Sequence, residues 1–285
     1  MNFTDAPLGD VYHTLKNHFS KKIEISSKDL VEIICFVLGS SKEDFYFSFD
    51  RLISKKQYEK IFSFCERKNS GEPLSYLLGY VDFYDCKINV TSGVLIPRVE
   101  TELLVEKVLE KIKEKSHSVI LDLCTGSGCI GVCLKKHFPS STVFLSDVSR
   151  KALSVAKENA QINNVSVLFL EGDFLEPFKD KKILADVIVC NPPYISNKEY
   201  QELDFSVRGY EPRVALTDEK EGVLFYERLA RDAALVLKRG GLIALEIGAS
   251  QKEEVKKIFS CSSFKHFLCE KDYAGHDRFI FLELE

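Results

Sequence analysis

Apolar positions change their period along the chain. Between Ser26 and Leu38, Leu30, Ile33, Ile34, Val37 and Leu38 follow the i, i+3, i+4, i+7 spacing of one helix face. A second helix is expected from Ser54-Lys55-Lys56-Gln57, where hydroxyl and amide stand at capping-box spacing and each reaches a free backbone N–H. Its buried face is Tyr58, Ile61, Phe62 and Cys65, and Gly71 and Pro73 stop it. The aromatic cluster at 45–49, with Tyr46 inside it, reads as core or docking surface rather than as a cofactor site, with core favoured. From Val81 to Val90 the pattern turns extended, with Asp and Asn punctuation, and suits a hairpin.

Beyond about Leu95, strands and helices alternate. Val119-Ile120-Leu121-Asp122-Leu123 is a short apolar strand running into Thr125-Gly126-Ser127-Gly128, and a helix follows to His137. The strand 143–145 ends at Asp147 and precedes a helix over 149–159. Further strands are expected at 165–170, 186–190, 242–247 and 279–282, with a long helix over 222–237. Such alternation predicts a doubly wound, mostly parallel α/β sheet with ligands at the strand C-terminal ends. The chain of 285 residues fits roughly two domains at about 150 residues each. The expected division is a helical domain over 1–79, a hairpin linker over 80–95 and the sheet domain over 96–285.

Composition narrows the function. Lys and Arg number 39 against 43 Asp and Glu, a net charge of −4 spread evenly along the chain. A protein held on nucleic acid by its phosphates is disfavoured. Residues 1–10 carry no basic, apolar leader and no long apolar run follows, so a cytoplasmic chain without a membrane segment is expected. Nine cysteines lie scattered without a Cys-x-x-Cys pair or a matching His partner, which reads as reduced thiols and no metal site.

Two constellations carry chemistry. The first is the loop Cys124, Thr125, Gly126, Ser127, Gly128 after a strand, where glycine lets backbone approach a ligand and present free N–H groups. Asp147 lies 19 residues past Gly128 at the next strand end, where a carboxylate accepts from ribose hydroxyls. Gly126, Gly128 and Gly131 also satisfy Gly-x-Gly-x-x-Gly, so this region alone says adenosine-containing ligand and leaves a nicotinamide dinucleotide open. The second constellation is Asn191-Pro192-Pro193-Tyr194, directly after an apolar strand. Its prolines fix φ and donate nothing, so Asn191 and the Pro192 carbonyl offer two acceptors to one NH2 group, beside an aromatic wall from Tyr194.

At these residues the chain resembles the class I adenosylmethionine-dependent amino-group methyltransferases. With Gly71-Glu-Pro-Leu-Ser-Tyr-Leu-Leu-Gly79, Val94-Leu-Ile-Pro-Arg-Val-Glu-Thr-Glu102, Ser146-Asp147, Tyr210-Glu-Pro212, Glu246-Ile-Gly248 and Gly275-His-Asp-Arg278, it resembles the bacterial peptide chain release factor glutamine methyltransferase (HemK/PrmC) family along nearly its whole length. The resemblance implies a Rossmann-like, seven-stranded sheet joined to a small helical substrate-recognition bundle, in a protein with no metal. It implies S-adenosyl-L-methionine held by the loop Cys124 to Gly128, Asp147, Phe174 and Asn191. It also implies that Asn191, Pro192, Pro193 and Tyr194 hold the glutamine of a Gly-Gly-Gln loop in a release factor. Two positions depart from the family pattern: Cys124 stands where Gly is usual, and Val99 where Pro is usual.

The chemistry expected of such a site follows from the amide. Its nitrogen is a poor nucleophile, because its lone pair is delocalised. Accepting both N–H groups would hold it at roughly 3 Å from the methyl carbon, a near-attack geometry. The leaving group is neutral, so no general acid is required, and no His or carboxylate need act as base. The rival readings are a ribosomal-protein glutamine methyltransferase, a methyltransferase for exocyclic base amines, and a non-catalytic adenosylmethionine binder. The acidic charge opposes the nucleic-acid reading, and the paired amine acceptors oppose the binder.

Overall fold

The computed structural model describes residues 5–19, 25–113 and 118–285. The chain divides into two compact units, one of Met1–Gly79 with Phe205–Tyr210 and one of Tyr80–Asp204 with Glu211–Glu285.

The first unit is helical: α1 (Leu8–Phe19), α2 (Ser27–Leu38), α3 (Lys42–Phe47), α4 (Lys55–Asn69) and α5 (Leu74–Leu78), with a short pair of strands, β1 (Ala6–Pro7) and β2 (Leu52–Ile53). Capping boxes Ser26/Asp29 and Ser54/Gln57 start α2 and α4, satisfying N–H groups that a helix start leaves unpaired. Leu30, Ile33 and Ile34 from α2 meet Ile61 and Cys65 from α4 in one buried cluster. The aromatic run divides: Phe45 is buried in that cluster, but Tyr46 and Phe47 are 64% and 91% exposed. Helical geometry places consecutive residues on different faces, so a run of aromatics in one short helix cannot all point inward.

The second unit begins with a hairpin, β3 (Tyr80–Phe83) and β4 (Cys86–Asn89), then α6 (Val99–Ile112), β5 (Val119–Leu123), α7 (Cys129–His137), β6 (Thr142–Asp147) and α8 (Arg150–Ile162). It continues through β7 (Leu168–Glu171), α9 (Glu176–Asp180), β8 (Ala185–Cys190) and α10 (Asn197–Glu202); α11 (Phe205–Arg208) belongs to the first unit, and α12 (Arg213–Leu216) and α13 (Leu224–Asp232) return to the second. The last elements are β9 (Leu237–Glu246), α14 (Lys252–Phe259), β10 (Phe264–Lys271) and β11 (Asp277–Leu284). Within the first unit, the Tyr210 hydroxyl after α11 donates to the Ser70 carbonyl at 3.1 Å.

Seven strands form one sheet in the order β10-β11-β9-β8-β5-β6-β7. The pairs β9–β8, β8–β5, β5–β6 and β6–β7 are parallel, and β11 and β10 add antiparallel at one edge. This is the Rossmann-like, mostly parallel α/β sheet. Its central strands are apolar on both faces because helices cover both. The order reverses between β5 and β8, and the crevice outside their C-terminal ends is where such sheets bind ligands.

The hairpin is fastened within the second unit. Asn159 Oδ1 accepts from Asn89 N–H at 2.7 Å, and Asn163 Oδ1 from Lys87 N–H at 3.2 Å. The thiols of Cys86 and Cys133 and the Asp85 carboxylate lie within 4.8 Å of one another, a meeting that linear spacing concealed. Lys136 and His137 already pair with that carboxylate, at 3.1 and 3.3 Å. Two expected elements differ. The helix over 222–237 ends at Asp232 and gives way to β9 at Leu237, which pairs with Ala185. The strand expected over 165–170 lies at Leu168–Glu171. Among the described residues, no helix is long and apolar enough to cross a membrane.

Candidate active site

The C-terminal ends of β5, β6 and β8 open onto a cleft of about 700 Å³, including its mouth. Cys124, Gly126, Asp147, Phe174, Asn191 and Pro193 all line it, together with 93–95 and parts of 212–215. Residues far apart in sequence thus meet at the switch point.

The loop after β5 is built from Asp122. This carboxylate is fully buried, and its Oδ2 accepts from the Thr125 hydroxyl and from Gly131 N–H at 2.9 Å. Burial raises its pKa to about 7 against those hydrogen bonds. The three loop glycines do different work. A Cβ on Gly126 (φ +54°) would meet nothing within 4 Å, so this is the open face of the turn. A Cβ on Gly128 would lie 2.9 Å from Ala156 Cβ, and one on Gly131 2.6 Å from Leu145 Cδ1. Gly128 and Gly131 therefore let α7 pack closely, and the apparent dinucleotide spacing is here a packing pattern. Thr125, Ser127 and Gly128 lie behind the lining; Ser127 is buried, and its carbonyl accepts from Asn159 Nδ2 at 2.8 Å.

Asp147 closes β6. Its Oδ2 accepts from Gly126 N–H and its Oδ1 from Ser149 N–H, both at 2.9 Å, which braces the carboxylate against the loop. Burial still raises its pKa. Phe174 (φ +54°) forms a further wall, edge-on to Phe225 with centroids 5.1 Å apart and under the Arg228 guanidinium at 5.0 Å. Arg228 is itself held by Asp173 at 2.8 Å.

Asn191 and Pro193 face the cleft, while Pro192 is buried. Tyr194 departs from the expected wall. It packs against the core cluster, and its hydroxyl turns to Glu246 Oε1 at 3.4 Å. Burial, the Glu246 charge and that hydrogen bond raise the phenol pKa, while Arg278 and Arg98 lower it by less. Gly222 makes room behind the segment, since a Cβ there would stand 2.3 Å from the Tyr194 carbonyl oxygen. Gln251 Nε2 donates to that oxygen at 2.9 Å, and Ile195 N–H to the Leu216 carbonyl at 3.0 Å.

Two side chains, Thr101 and Glu246, had no part in the site read from sequence, where Arg98, Glu100 and Glu102 stood as residues that could shape the cofactor's amino-acid end. Asn191 Nδ2 donates to Thr101 Oγ1 at 3.1 Å, and that hydroxyl donates to Glu246 Oε2 at 2.7 Å. Glu246 is fully buried, and desolvation raises its pKa to about 7. Arg98 pairs with the buried Glu211, which also accepts from Ile96 N–H at 3.1 Å and so fastens the loop before α6 to the segment before α12. Thr101, Glu246, Arg98 and Glu211 all lie inside motif runs of the sequence, which marked the stretches without saying which side chains would meet.

Compared with known proteins, residues 10–79 match the model of the PrmC N-terminal domain and residues 99–205 that of the methyltransferase small domain. Two solved structures resemble this chain in fold alone. The hMettl16 catalytic domain has a TM-score of 0.53 at 14% identity, covering 83% of this chain and 85% of that one. A methyltransferase from Pyrococcus furiosus has 0.50 at 18%, covering 70% and 89%. The fold and the domain match define a methyltransferase. The release factor glutamine methyltransferase of Thermodesulfovibrio yellowstonii is 42% identical over 265 residues, 92% of this chain and 94% of the relative. That of Chlamydia trachomatis serovar L2 is 45% identical over 212 residues, 74% and 72%. This chain belongs to the release factor glutamine methyltransferase family.

Proposed function

We propose that this enzyme transfers a methyl group from S-adenosyl-L-methionine to the side-chain amide nitrogen of the Gly-Gly-Gln glutamine in a peptide chain release factor. The observation that carries the reading is the single cleft lined by Cys124, Gly126, Asp147, Phe174 and Asn191. The open face at Gly126 and the Asp147 carboxylate beside it fit a ribose, and Phe174 with Phe225 fits a flat adenine. Adenosylmethionine supplies an electrophilic methyl on a sulfonium, which leaves as a neutral thioether.

The chain's own residues then have to hold an amide still. Asn191 Oδ1 and the Pro192 carbonyl accept the two N–H groups of the glutamine, and the proline pair keeps these acceptors rigid. The nitrogen forms its new C–N bond as the S–C bond breaks, and the surplus proton leaves afterwards to water. The glutamine side chain offers little area of its own, so binding elsewhere on the protein substrate has to supply the positioning energy. The helical unit is the proposed source, which makes 1–79 a recognition domain.

The test is incubation of enzyme, labelled adenosylmethionine and release factor, with the labelled residue identified by mass spectrometry. Label on the Gly-Gly-Gln glutamine is expected, and its replacement should abolish labelling. Asn191→Ala should lower kcat about 10²–10³-fold, by analogy with the loss of one preorganised hydrogen-bonding group. Label appearing in RNA or in a ribosomal protein instead would refute the proposal.

A further inference from the structure

A primary amide has two nearly isosteric ends, and turning Asn191 over would replace an acceptor with a donor at the same place. Packing barely distinguishes the two orientations. Hydrogen bonding does. Among the described residues, Glu246 has no ion pair, and its carboxylate oxygens take the hydroxyls of Thr101 and Tyr194 at 2.7 and 3.4 Å. A hydroxyl owns one proton. Once Thr101 gives it to Glu246, the Thr101 oxygen can only accept, so the Asn191 group beside it must be the NH2, as found at 3.1 Å. Oδ1 is then the end left for the cleft that Asn191 lines.

We propose that Thr101 and Glu246 are positioning residues that set the polarity of the Asn191 side-chain amide, so that its oxygen and not its nitrogen meets the acceptor glutamine. The inference rests on the reading in which Asn191 accepts from the substrate amide. It also explains a costly feature. Burying a carboxylate against two hydroxyls, without a cation in contact, is unfavourable for folding. Here the buried charge dictates a direction through two hydrogen bonds.

The device is reversible. A protonated Glu246 can donate to Thr101, which frees the Thr101 proton to turn toward Asn191 and stabilise the flipped amide. Asn191 would then offer NH2 to NH2. The titratable and charged groups facing Glu246 are Tyr194 on the loop after β8, Arg278 on β11, Glu100 on α6 and Cys129 on α7, with Tyr226 of α13 donating to its backbone carbonyl at 3.1 Å. Burial pushes the pKa of this carboxyl up to about 7, against the Thr101 hydrogen bond and Arg278, which lower it, and with Glu100, which raises it. Activity should fall below that pH as the network inverts.

Full-length enzyme, adenosylmethionine and release factor serve for the kinetics, and 15N spectra of the unliganded protein report the Asn191 side-chain NH2. The wild type should show an acid limb in kcat with a midpoint near 7, and Asn191 NH2 resonances that move with the same midpoint. Thr101→Val should lower kcat about 10²-fold, a loss of preorganisation, with adenosylmethionine affinity by calorimetry changed less than about threefold. Thr101→Ser should recover most of the rate. Glu246→Gln keeps an oxygen for Thr101 but cannot titrate, so it should lose both the acid limb and the movement of the Asn191 resonances. The inference is overturned if Thr101→Val turns over like the wild type, or if the limb and the resonance shift survive in Glu246→Gln. A wild type that labels no release-factor glutamine would instead be a failure of the proposed function. The Asn191 spectra would still decide the polarity.

Discussion

At the scale of single residues, the two departures from the family pattern take opposite physical meanings. Val99 is the first residue of α6 and is 64% exposed. Arg98 before it is extended at φ −104° and ψ 152°, the conformation a following proline requires. Proline at this position has its φ preset for the helix and sacrifices only an N–H that the helix start leaves unpaired. Val99→Pro should therefore raise stability by about 0.4–1 kcal/mol, mainly by restricting the unfolded chain, and urea denaturation would read it as a higher midpoint at unchanged slope. Cys124 instead holds φ +54°, a conformation glycine adopts more readily, beside the cleft. The sequence marked both positions as unusual, but not that only Cys124 carries backbone strain, because φ is invisible in a list of residues. The same blindness hid the turn of Tyr194 toward Glu246.

Among elements, what was legible followed periodicity. Strands β5, β6 and β8 and helices α2 and α4 showed because an apolar period and a cap or a turn agreed at each. Strand β10 did not show, since its residues are largely exposed and its pairing with β11 shifts register. The early start of β9 was equally hidden, because Lys238, Arg239, Gly240 and Gly241 look like a helix end followed by a turn. Nor does periodicity report buried charge. Asp122 on β5 and Glu246 on β9 sit in the sheet, and burial raises each pKa to about 7, above unfolded values of about 4. Between those values the folded state binds more protons than the unfolded state, so stability falls as pH rises. Each group's contribution is fully present below about pH 4 and is lost as pH rises through 7. Denaturation at a series of pH values should show falling stability from pH 5 to 8, by about 1 kcal/mol or more per group. In Glu246→Gln the decline should be shallower. A stability that rises over this interval would mean that the two carboxyls are ionised in the fold without cost.

For the molecule as a whole, the cleft accounts for the chemistry but not for the choice of glutamine. In the proposed function Asn191 and the Pro192 carbonyl would recognise only a primary amide, which every glutamine and asparagine carries, so discrimination would have to come from contacts outside the reacting group. The helical unit presents Tyr46 and Phe47 to solvent at 64% and 91% exposure, beside a Phe45 that is buried. Large exposed aromatics bury much area at small entropic cost when a partner covers them. An intact release factor and a short Gly-Gly-Gln peptide should therefore differ sharply as substrates, with kcat/KM for the peptide lower by at least about 10²-fold, the equivalent of two or three kcal/mol of remote binding. A Tyr46→Ser, Phe47→Ser double variant should raise KM for the intact factor several-fold while leaving both turnover of the peptide and adenosylmethionine affinity as they were. Steady-state kinetics on the two substrates separates the possibilities. Equal losses on peptide and protein would mean that the change had reached the cleft. No loss on either would place recognition on another face of the helical unit or within the sheet domain itself.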